Sequence, residues 1–70
     1  MPFKLDKRKV RVGEWVDVRD LSGQWAEGQV IAGYDEYVKV HYNGWPERMN
    51  EWIPETSDRL VPFRTHTVQC

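Results

Sequence analysis

The stretch Tyr37-Val38-Lys39-Val40-His41-Tyr42-Asn43-Gly44-Trp45-Pro46 decides the fold. In an extended chain Val38, Val40 and Tyr42 fall on one side and Lys39 and His41 on the other, the period of two expected of a half-buried strand. The strand is expected to run from Tyr37 to Asn43. Asn43-Gly44 is a tight-turn pair, since both residues tolerate positive φ, and Pro46 keeps the preceding Trp45 extended.

Upstream, the same period recurs. Gly13 opens a strand over Glu14 to Arg19 in which Val16 and Val18 share a face while Asp17 and Arg19 point the other way. Asp20-Leu21-Ser22-Gly23 has turn composition. A second strand, Gln24 to Ala32, sets small Ala26, Gly28, Val30 and Ala32 against Trp25, Glu27, Gln29 and Ile31, and Gly28 permits the bend a tight sheet requires. Gly33 to Glu36 form the next turn. Downstream, a short strand from Asn50 to Ile53 ends at Pro54. Ser57 then caps one expected helical turn with Asp58, Arg59 and Leu60, and Val61 to Arg64 form a last strand that closes the barrel. No segment keeps helical spacing for more than a turn, so the fold class is all-β: a small, strongly bent five-stranded barrel with one short helical turn near the C-terminus.

Seventy residues make one domain, which buries about 60% of the surface its unfolded chain exposes. A hydrophobic fraction of 40%, with four Trp, three Tyr and two Phe, still supplies a core. A net charge of -1 lacks the basic excess of a domain living on phosphate contacts. Lys4, Lys7, Arg8, Lys9 and Arg11 nevertheless crowd residues 1–11 into a basic arm, read as flexible, that offers possible nucleic-acid contacts. Residues 12–64 form the expected module and 65–70 a tail. The single cysteine, Cys70, excludes an internal disulfide and fits a reducing compartment. The chain has no apolar run long enough for a membrane span or signal peptide. A soluble intracellular protein with no membrane partner is expected.

Paired carboxylates, a nucleophile with its base, and a phosphate-binding glycine loop are all missing at recognisable spacing, so no catalysis and no cofactor are expected. His66 and Cys70 make half a ligand set, and no metal site is expected from them.

Aromatics crowd around one turn. His41-Tyr42-Asn43-Gly44-Trp45, then Arg48, then Glu51-Trp52-Ile53, resembles the signature of chromo-barrel and Tudor-knot domains. Ser57, Arg59-Leu60 and Pro62 resemble the ends of related Tudor domains that read methyl-lysine. The resemblance spans Val12 to Arg64 and implies an SH3-like barrel acting as a non-catalytic, chromatin-associated module. It further implies a nuclear location and a monomeric domain of a larger protein, with a methylated histone or other methyl-lysine peptide as partner. The family's cage of aromatics falls on Trp25, Tyr42 and Trp45, with Met49 in place of the fourth ring and Asn50 in place of the usual aspartate. A ring face attracts a methylated ammonium by about 0.5 to 2 kcal/mol. Met49 offers instead a polarisable thioether that closes a wall by dispersion.

Two rival readings stay open: an RNA- or DNA-binding Tudor-knot module using the basic arm, or a methylation-independent protein-interaction module. Trp52 is expected in the core and Trp45 at the rim. Tyr42 suits either place, and Trp25, opposite the small-residue face, is expected to be exposed.

Overall fold

The computed structural model describes residues 10–67. Five antiparallel strands run in chain order: β1 (Trp15–Arg19), β2 (Trp25–Tyr34), β3 (Tyr37–Tyr42), β4 (Glu51–Pro54) and β5 (Leu60–Pro62). They form one sheet in the order β4-β3-β2-β1-β5, so β4 and β5 stand at its two edges. The sheet curls through 184° into a half-barrel, consistent with an SH3-like or Tudor-like fold.

The concave face holds the core: Val10, Val16, Val18, Val30, Val38, Val40, Tyr42, Ile53 and Leu60. Most are β-branched, which suits a pleated surface where side chains lose little rotamer freedom. The alternation read from the sequence accounts for Val16 and Val18, for Val38, Val40 and Tyr42, and for Ala26, Gly28 and Val30. Val10 joins this core, so the described chain packs from two residues before the expected module.

Gly28 sits where β2 crosses β1 and β3, paired with Val16 and Tyr42. A Cβ there would come within 2.8 Å of a Val40 methyl, 3.0 Å of a Val18 methyl and 3.2 Å of the His41 carbonyl. The glycine is thus required by close approach. Gly28→Ala is expected to destabilise the fold by about 1 to 2 kcal/mol through overpacking, read as a lower urea midpoint at unchanged slope.

The small-residue face of β2 does not continue to Ala32. Val30 pairs with Val40 but Ala32 pairs with Lys39, leaving Ile31 as a bulge. The extra residue bends the strand and reverses its parity. Gly33 then pairs with Val38 on the inner face, and Tyr34 pairs with Tyr37 on the outer one.

Two expectations are corrected. The helical turn, 3-10 in type, lies at Glu47–Met49 between β3 and β4. Ser57 to Leu60 form instead a hydrogen-bonded turn, closed by the Leu60 amide donating to the Ser57 carbonyl at 3.2 Å, with the Ser57 hydroxyl accepting from the Arg59 amide at 3.1 Å. Trp52 is not core. It pairs with Lys39, on the face opposite buried Ile53, and remains 47% exposed. Its size suggested the interior, but its register places it outside. Trp52→Ala is therefore expected to cost only about 1 to 1.5 kcal/mol, half the burial of a large side chain, with a cooperative thermal transition retained.

The convex face of β1 and β2 is covered by the segment after β5. Phe63 lies against Trp15 with ring centroids 6.0 Å apart, Arg64 pairs with Glu27 at 3.7 Å, and His66 stacks on Trp25 at 4.3 Å. Beneath them Asp17 is fully buried. Its Oδ1 accepts from the Arg64 amide at 3.0 Å and the Thr67 hydroxyl at 2.6 Å, and its Oδ2 from the amides of His66 at 2.6 Å and Thr67 at 2.9 Å. Burial alone would raise this carboxyl. The Thr67 hydroxyl and the three amides outweigh that cost and hold it below the ordinary value. Residues 64–67 are thereby a strap tied to β1.

Candidate functional site

At one end of the half-barrel an open pocket of about 270 Å³ is lined by Asp20, Leu21, Ser22, Tyr42, Trp45, Met49 and Glu51. Three connections build it.

The first is the turn after β3. The Trp45 amide donates to the Tyr42 carbonyl at 3.0 Å, and Gly44 takes φ +85°, a conformation that costs other residues a steric penalty. Asn43 is anchored to Glu27 by its amide at 2.9 Å and its side chain at 3.2 Å. Trp45 is thereby swung back toward Tyr42, ring centroids 5.2 Å apart and planes tilted by 35°. Tyr42 is only 2% exposed. It floors the pocket while Trp45 forms an exposed wall.

The second is the 3-10 turn. Pro46, extended at φ -62° and ψ 152°, starts it, and the Met49 and Asn50 amides donate to the Pro46 and Glu47 carbonyls, both at 3.0 Å. Met49 is thus delivered to the pocket rim. Asn50 Oδ1 lies 2.8 Å from His41 Nδ1 on the neighbouring strand and fixes the turn's far end.

The third, between β1 and β2, was not anticipated as part of the site. Asp20 Oδ1 accepts from the Ser22 amide at 2.9 Å, the Ser22 hydroxyl at 2.6 Å and the Gln24 amide at 3.0 Å. This side-chain-to-backbone turn holds Leu21 outward beside the aromatics. The Ser22 hydroxyl first, and the Gln24 amide after it, keep the Asp20 carboxyl below its ordinary value, so it carries its charge through the neutral range.

A hydrogen-bonded triad braces the floor. The Tyr42 hydroxyl donates to Glu51 Oε1, which Arg59 Nη2 also meets at 2.6 Å, and Arg59 Nη2 lies 3.3 Å from the Tyr42 oxygen. Arg59 is itself fixed by Nε donating to the Arg19 carbonyl at 2.7 Å. Burial first, and the Glu51 carboxylate second, push the phenol far above its ordinary value, so Tyr42 stays a neutral donor.

Of the residues expected to form one cage, the structure brings together Tyr42, Trp45 and Met49. Trp25 stands elsewhere. It lies on the convex face, stacked on His66 with the Arg19 guanidinium 5.6 Å from its ring centroid, and it is not among the pocket's lining residues. The register explains this: Trp25 alternates with Ala26, whose side is the concave one. Of the basic arm, Lys4, Lys7, Arg8 and Lys9 lie outside the described residues. Arg11 is exposed, its amide donating to Glu14 Oε1 at 2.9 Å. Among the described residues no group of three His, Cys, Asp or Glu could hold a metal, and no helix is long and apolar enough to cross a membrane. Cys70 lies outside the described residues.

Chemically, the pocket offers the exposed Trp45 ring over a floor made by the buried Tyr42, two apolar side chains, and two carboxylates, of which Glu51 is already paired with Arg59. No protein-family model matches the chain, and no curated protein matches it significantly.

Proposed function

We propose that the chain is a non-catalytic binding module of chromo-barrel or Tudor-knot type that takes a methylated lysine side chain of a peptide, such as a histone tail, into the pocket at Tyr42. One observation carries this reading: Tyr42, Trp45 and Met49, separated in sequence by the turn and the 3-10 turn, line one open pocket together with Asp20 and Glu51. Ring faces attract a methylated ammonium while Leu21 and Met49 contact its methyl groups by dispersion. Asp20 adds the sign of charge that draws a cation, whereas Glu51 is already paired with Arg59 at 2.6 Å. Two rings rather than three or four place the dissociation constant at tens to hundreds of micromolar, about 5 to 6 kcal/mol. Membership of that family, a nuclear location and work within a larger chromatin protein belong to the same proposal.

The test is a residue-resolved chemical-shift titration with peptides carrying lysine in its unmodified, mono-, di- and trimethylated forms. The Trp45 indole, the Tyr42 ring and the Met49 methyl are expected to respond to methylated peptides more than to the unmodified one, with Trp25 unmoved. Equal responses to every form would remove the reading.

A further inference from the structure

One hydroxyl fastens the end of the strap. Thr67 Oγ1 donates to Asp17 Oδ1 at 2.6 Å, while the Thr67 amide donates to Oδ2 of the same carboxylate at 2.9 Å. Asp17 is fully buried in the middle of β1, paired there with Glu27 and Val61. Thr67 itself is only partly covered.

A phosphoryl group on this oxygen would reverse the contact. The proton that Asp17 accepts is gone, and a group carrying about −1.5 to −2 charge at neutral pH stands against a buried, ionised carboxylate. The guanidiniums beside the strap already have carboxylate partners: Arg64 meets Glu27 at 3.7 Å, and Arg19, which lies over Trp25, meets Asp58 at 3.3 Å. The like charges then separate by lifting the strap from β1. His66 leaves with it and uncovers the Trp25 ring on which it stacks.

The sequence singles out Thr67 over Thr65. Arg64 stands three residues before Thr67, the place where arginine-directed kinases grip a guanidinium with their own carboxylates. Pro62 occupies that place for Thr65, whose hydroxyl donates to the Pro62 carbonyl at 2.6 Å and not to Asp17. We propose that Thr67 is a phosphorylation site for an arginine-directed protein kinase, and that its phosphate releases the 64–67 strap from β1.

In the transfer, the bond from the γ-phosphorus of ATP to the oxygen bridging the β-phosphate breaks and a bond to Thr67 Oγ1 forms. The hydroxyl proton passes to the kinase's base, and ADP leaves. Because Oγ1 faces Asp17 in the closed strap, the kinase acts on the locally opened one, and the phosphate opposes reclosure.

The experiment incubates the full chain with ATP, magnesium and purified calcium/calmodulin-dependent kinase with its activators. Peptide mass spectrometry locates the phosphate, and NMR follows amide exchange and the tryptophan indoles. Phosphate is expected on Thr67, retained in Thr65→Ala and absent at this segment from Thr67→Ala. Exchange at the amides of Arg64, His66 and Thr67 should then accelerate about tenfold or more, with the Trp25 indole shifted and the Trp45 indole unmoved. Asp17→Asn, which loosens the strap, should be phosphorylated faster than wild type. Trp45→Ala should behave as wild type throughout, so this site and the pocket at Tyr42 can fail independently. Absence of phosphate from Thr67, phosphate on Thr65 in its place, a phosphorylated Thr67 with the three amides still protected, or no gain in rate for Asp17→Asn would each overturn the assignment.

Discussion

Replacing Asp17 with alanine is expected to cost about 3 to 5 kcal/mol, because it removes the shared acceptor of four hydrogen bonds and leaves their donors to find water. A domain of this size holds only roughly 4 to 10 kcal/mol in total, so most of its margin goes. The expected signature is a large drop in urea midpoint together with fast hydrogen exchange at the amides of Arg64, His66 and Thr67, which the carboxylate otherwise holds. Asp17→Asn keeps the shape but turns one acceptor into a donor facing amide hydrogens, and should fall between wild type and alanine. Acid should act similarly. The folded carboxyl lies below its unfolded value of 3.8, so its contribution is complete above that value and is lost as pH falls through the lower folded one. In the Asp17→Asn variant that part of the acid sensitivity should vanish. Protected amides at 64–67 in Asp17→Ala would show that the strap is held by its aromatic contacts alone.

Trp45→Ala is expected to weaken a methylated-lysine peptide by roughly thirtyfold, or about 2 kcal/mol, by removing the exposed ring face of the pocket. The fold should survive, since Trp45 stands on a turn outside the buried cluster. Trp45→Phe should recover part of the affinity because a smaller ring retains a face. Tyr42 is unsuitable for the same test: its ring belongs to the core and its hydroxyl to the Glu51 and Arg59 triad, so loss of binding there would be mixed with loss of structure. Isothermal titration alongside thermal melts separates the two effects. A Trp45→Ala variant that binds normally would remove the pocket from the proposal.

The strands were legible because half-buried strands write their faces into the sequence one residue in two. Val38 and Val40 needed no other information, whereas Tyr42, on the same parity, suited core and rim alike. Three features escaped that rule. Asp17 reads as solvent-facing because its partners lie 47 to 50 positions away in a segment with no alternation. Tyr34 reads as a turn residue, because nothing local marks the one-residue bulge at Ile31 or the strand's continuation beyond Ala32. Leu21 reads as a loop residue, and only the Asp20 side chain's bonds to Ser22 and Gln24 turn it toward the pocket. Trp52 is a different case. Its parity against Ile53 held the answer, and its size outweighed it.

The edges of the half-barrel carry one more consequence. β4 has four residues and β5 three, and each ends in a proline, Pro54 and Pro62, which has no amide hydrogen to offer. A neighbouring chain seeking to extend the sheet would find few free donors and soon reach a ring that cannot pair. Such short, blunted borders oppose fibrillar growth, so the protein should stay dispersed at high concentration despite its exposed tryptophans.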